Sequence, residues 1–201
     1  MHTSKATDNE IISMDVMDAI YNRHAVRDYL PKKVDAGVIN KLLDAAIHAP
    51  AALHEESRAF VVIQDKRVLD RLSDSAKILL LNESKESESL QRKHILDVVN
   101  QKDFQLFYNA TTLIVIYSTF EGPFVAADCW LAAENLMLSS LVHGLASCVI
   151  GFAVSALNLP EWKNELKIPE GMTAVAPMII GWPAGKTLPS AHNPPVILSW
   201  K

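Results

Sequence analysis

A chain of 201 residues can bury a sizeable core without disulfides or structural metal, and 49% hydrophobic with 21% charged residues excludes a disordered or fibrous protein. The net charge of −4, with Lys and Arg scattered and no basic block, excludes the electrostatic footprint of a nucleic-acid binder. Cys129 and Cys148 form no C-x-x-C pair, so zinc and thioredoxin-like chemistry lack their ligands and both residues read as buried thiols.

The composition predicts a flexible polar N-terminus over residues 1–10 and a single domain over residues 11–201. No charged leader precedes an apolar stretch, and no uninterrupted apolar run reaches spanning length, which predicts a cytoplasmic protein with no membrane partner. The first helix carries Met14, Met17, Ile20 and Tyr21 at helical spacing, with Ser13 as N-cap candidate and Asp15 and Asp18 in the first turn. Arg23 and Arg27 follow in "YNRHAVRDYL" and would share a face if that helix continued. The pair suits either a solvated helix end or half of an anion site, since paired guanidinium forks match a phosphate.

A second helix starts after Val34 with Asp35 as cap, buries Val38, Leu42, Ala45 and Ala46, and stops near Pro50. His48 in that helix reads as a hydrogen-bonded structural residue, and "HAPAALHEES" as the loop that follows. "AFVVIQ" predicts a strand, and "DKRVLDRLSDSAKILLL" a helix capped by Asp65. Residues 82–90, rich in Glu and Ser, predict a surface loop or lid. "TTLIVIYS" is the clearest strand, followed by a long helix from about Val125 to His143 with Gly144 as its C′ residue. Glu134 and Asn135 in that helix suit a helix–helix or subunit contact, and His143 suits the helix dipole. A brief strand at "ASCVIGF", a short helix at "LPEWKNEL" and a strand at "MTAVAPMIIGW" complete the domain. The tail from about residue 183 holds four of the ten prolines and ends in "VILSW", which predicts an extended arm whose apolar end covers its own domain or a neighbour's. The glycine fingerprints of Rossmann and P-loop sites do not occur, so any bound phosphate must be held by side chains.

"IYNRHAVRDYL" followed by "INKLLDAAIHAPAALHEESRAFVVIQD" resembles the start of the nitroreductase family of FMN-dependent oxidoreductases. "AADCWLAAENLMLSSLVHGLASCVIGF" is similar to the family's central helix and its exit, and "AVAPMIIGWPAG" to its last strand and turn. The resemblance implies an α+β fold, an α/β/α sandwich with a mixed, mainly antiparallel sheet, built as an intertwined homodimer with FMN sites shared at the interface. It implies two-electron reduction of a nitroaromatic, quinone or similar small acceptor by NAD(P)H in a ping-pong cycle. Carried over residue by residue, Arg23, His24, Ala25 and Arg27 hold the FMN phosphate and ribityl region, with Ala25 standing where the family has a serine. Pro50 and Ala51 match the turn near the flavin ring, again with alanine for serine. His54 replaces an asparagine there and is the candidate proton donor at the ring's rim; Glu56 replaces a glutamine, and Ser57 and Arg58 a Pro-Trp pair. Ile150, Gly151 and Phe152 match the segment whose backbone approaches the ring, and Lys186, Ser190 and His192 are nearest to the family's distal cation. The substitutions at Ala25, Ala51, His54, Glu56 and His192 keep open a second reading, a non-catalytic flavin or ligand binder of the same fold.

Overall fold

The computed structural model describes residues 13–52, 57–83, 97, 99, 104–185 and 191–201. The candidate residues His54, Glu56, Lys186 and Ser190, the terminus 1–10 and most of the expected 82–90 loop lie outside the described residues.

A four-stranded sheet organises the chain. Its strands are β1 (Arg58–Ile63), β2 (Thr112–Ser118), β3 (Ala146–Val149) and β4 (Thr173–Gly181), in the spatial order β1-β2-β4-β3. All three strand pairs are antiparallel, and the parallel component is one isolated bridge between Ala25 and Ser147. Every residue of β2 is buried, because helices cover both faces of the sheet. Side chains alternate across a strand. Leu113, Val115 and Tyr117 therefore enter one core, while Ile114 and Ile116 enter the other.

The first core is closed by α3 (Lys66–Glu83), by a 3-10 turn (Gly151–Ala153) leading into α5 (Val154–Leu157), and by α6 (Pro160–Glu165). The second is closed by α2 (Ala36–Ile47) and α4 (Val125–Val142), so the architecture is the expected α/β/α sandwich. By length and composition α4 could cross a membrane, with mean hydropathy 1.2, but 44% of it is buried inside the protein. Its Asp128 and Asn135 form hydrogen bonds to neighbouring segments, which is the signature of a core helix.

Local signals set most boundaries. Asp35 accepts from the Gly37 amide at 2.7 Å and starts α2, and Asp65 accepts from the Arg67 amide at 2.8 Å before α3. Gly144, at φ 68°, ends α4: its amide donates to Leu141 O at 2.9 Å and the Leu145 amide to Ser140 O at 3.0 Å.

Three expectations need correction. Helix α1 (Val16–Asn22) is capped by Asp15, not Ser13, because the Asp15 carboxylate lies 2.8 Å from the Asp18 amide. Its apolar residues Val16, Met17, Ile20 and Tyr21 are exposed and only Ala19 is buried. Helix α3 runs through Glu83, so residues 82 and 83 are helical and not loop. His143 caps α4, yet burial first and the Lys41 charge second hold its imidazole below the ordinary histidine range, which weakens the expected charge–dipole interaction.

Candidate functional site

Helix α1 stops at Asn22, and Arg23 takes extended backbone at φ −66°, ψ 126°. The reason is tertiary: the Val26 amide donates to Ser147 O at 3.1 Å, beside the Ala25–Ser147 bridge, so this segment lies along the outer edge of β3. It continues past the end of β4, with Leu30 N to Trp182 O at 2.8 Å and Ala184 N to Asp28 O at 3.1 Å. Arg23 and Arg27 therefore do not share a helix face. Val26 turns into the core, where it is 3% exposed, while Ala25 and Arg27 on either side of it are exposed.

The two arginines differ in environment. Arg23 Nε lies 3.3 Å from Glu134 Oε1 on α4. Arg27 is exposed and makes no ion pair with any described residue. Its charge reaches into β3: burial pushes the Cys148 thiol up, and Arg27 pulls against that rise. His24 Nδ1 sits 2.7 Å from Asn22 O, and Ala25 is exposed and offers no hydroxyl where one would face a ligand.

At the far end of β3, Ile150 is buried and its amide donates to Pro177 O at 2.9 Å. Gly151 follows, and a Cβ placed on it meets nothing within 4 Å. No atom of this protomer requires the glycine; the space beside it is open to a ligand. Ser147 and Ile150 are three residues apart, so the arginine group and this opening lie along roughly 10 Å of one strand.

Pro50 and Ala51 belong to a separate group. The Ala52 amide donates to Asp128 Oδ1 at 3.0 Å and Ser57 Oγ to Asp128 Oδ2 at 2.8 Å, while both terminal nitrogens of Arg58 reach Ala49 O at 3.2 Å. Ser57 and Arg58, aligned by resemblance with a ring-facing Pro-Trp, instead brace the loop. The sequence reading did not single out Asp128. A carboxylate in an apolar helix was its signal, and its partners lie 71 and 76 positions away. Among the described residues no hydrogen bond or ion pair joins this loop to the arginine group. His192 lies in the exposed tail without a described bond to either group. Arg23, Ala25 and Arg27 lie on the segment along β3, and Ile150 and Gly151 follow that strand; among the described residues no hydrogen bond or ion pair ties Pro50, Ala51 or His192 to them.

The Nitroreductase family profile matches residues 20–182, most of the sandwich and all of the arginine segment. The chain belongs to the Nitroreductase family. A curated relative from Archaeoglobus fulgidus, named provisionally as an NADH dehydrogenase/NAD(P)H nitroreductase, is 23% identical over 174 residues, covering 84% of this chain and 86% of its own. A nitroreductase with bound FMN from Bacteroides fragilis superposes with a TM-score of 0.77 at 24% identity, covering 94% of this chain and 98% of that one. A second FMN-bound nitroreductase, from Desulfitobacterium hafniense, gives 0.76 at 20% identity over 90% and 96% of the two chains. The nitroreductase fold therefore extends over nearly the whole of this chain.

Proposed function

We propose that this nitroreductase-family chain is an FMN-dependent oxidoreductase that passes two electrons from NADH or NADPH to a small acceptor such as a nitroaromatic or a quinone. The supporting observation is the Arg23–Arg27 segment, which runs along the outer edge of β3 with Arg27 exposed and without an ion-pair partner among the described residues. An unopposed cation beside a second arginine suits a phosphate monoester, because charge-assisted hydrogen bonds are about twice as strong as neutral ones.

Bound FMN would supply the redox chemistry. The protein's part is grip, orientation and exclusion of water. Arg23 and Arg27 hold the phosphate at the edge of β3. Gly151 leaves room for a planar ring to approach backbone at the strand's exit. The loop bearing Pro50 and Ala51, separate from the arginines in one protomer, closes the site of a second copy. The working unit is then a homodimer with shared sites, placed in the cytoplasm.

Absorbance of the purified protein tests the reading. A yellow protein that bleaches with NADH or NADPH and recolours with an acceptor supports it. Exposed Ala25, which removes a hydroxyl donor from the arginine group, favours the second reading, a flavin or ligand binder without turnover. A colourless protein that cannot be reconstituted with FMN removes the oxidoreductase.

A further inference from the structure

Glu134 is a carboxylate beside a proposed phosphate site, where its charge opposes the ligand. Its one described contact is Arg23 Nε at 3.3 Å, with the two side chains 46% and 30% exposed. A pair this exposed adds little to folding stability. Its geometry has a different consequence. The ion pair joins the C-cap of a seven-residue helix to the middle of α4, an 18-residue helix with a largely buried apolar face. A guanidinium has five N–H donors, and the single Nε contact leaves the four on the terminal nitrogens for another partner.

We propose that Glu134 is a positioning residue: it holds Arg23 by Nε and presents the terminal nitrogens of that guanidinium to the FMN phosphate. The inference rests on the FMN reading above. Ala25 makes orientation matter more, since without a hydroxyl between the arginines the two guanidinium groups carry the grip alone. Arg27 has no ion-pair partner among the described residues, whereas Arg23 is held by Glu134.

The test is a titration of the flavin-freed full chain with FMN, followed by flavin fluorescence, in Glu134→Ala, Glu134→Gln, Arg23→Ala and the double variant Arg23→Ala/Glu134→Ala. Freezing one long side chain in advance is worth about 0.5–1.5 kcal/mol, so Glu134→Ala weakens FMN binding by about two- to thirteenfold. Glu134→Gln keeps an acceptor for Nε and removes the opposing charge, so FMN binds as well as to the parent or tighter. In the Arg23→Ala background the second substitution has no effect. Riboflavin, which lacks the phosphate, shows no difference between the parent and Glu134→Ala. If Glu134→Ala binds FMN as tightly as the parent or tighter, or weakens riboflavin by the same factor, the positioning role is lost. If Arg23→Ala leaves FMN affinity unchanged, it is the phosphate reading itself that fails, an outcome distinct from an effect of Arg23 without one of Glu134.

Discussion

Asp128 is 4% exposed, and both of its carboxylate oxygens are used, one by the Ala52 amide and one by the Ser57 hydroxyl. Removing it strands two donors in the interior, which costs about 1–3 kcal/mol for each unsatisfied group. Asp128→Ala should therefore lower unfolding free energy by about 2–4 kcal/mol. Urea denaturation measures this, and Ser57→Ala, which removes only one donor, should cost less than half as much. Ala25 makes the opposite case. It is exposed beside two arginines, so a serine there meets no steric obstacle and adds one donor to the proposed phosphate site. A hydrogen bond to a charged group contributes about 1.5–3 kcal/mol. Ala25→Ser should tighten FMN by at least about tenfold and leave riboflavin unaffected; equal affinity for parent and variant in a fluorescence titration would place the phosphate elsewhere.

Helix α4 carries two predictions at the level of the element. Gly144 at φ 68° ends it, and alanine at that left-handed position costs about 1 kcal/mol, readable as a lower denaturation midpoint for Gly144→Ala. His143, one residue earlier, is held below its ordinary value of 6.5 by burial and by Lys41. The unfolded chain then takes up a proton at higher pH than the folded one. Its stabilising share is complete above about pH 6.5 and is lost as pH falls through the folded value, so stability declines on acidification. In a series of denaturation curves His143→Gln should flatten that decline; an unchanged slope would show that His143 does not contribute. The elements were legible in the sequence where their causes are local: the unbroken apolar, β-branched run of β2, the caps Asp35 and Asp65, and the left-handed glycine after α4. The end of α1 within "YNRHAVRDYL" was expected, but its cause was not legible, since what stops the helix is the pairing of Val26 with Ser147 far along the chain. The site divides as well. The arginines and Gly151 were singled out through the family resemblance, since the arginine spacing alone left a solvated helix end open, whereas the loop's dependence on Asp128 rests on contacts across more than seventy positions.

One protomer leaves too much apolar surface in contact with water. Val196, Leu198 and Trp200 of the arm are 86%, 96% and 86% exposed, and Val16, Met17, Ile20 and Tyr21 of α1 and Trp130 and Leu131 of α4 are exposed as well. Exposed apolar residues in such number suit an interface with a second copy. Among the described residues no hydrogen bond or ion pair joins the loop to the arginines, which leaves room for a second copy to bring the loop of one chain to the arginines of the other. The full chain should therefore sediment as a dimer. Full burial of a large apolar side chain contributes about 1.5–3 kcal/mol, so Leu198→Ala with Trp200→Ala should raise the dimer dissociation constant by at least about a hundredfold. FMN affinity should fall in step with dimer content, since each site needs both chains. A full-length chain that sediments as a stable folded monomer and still binds FMN at parent affinity would contradict the shared site and return the arm to its own domain.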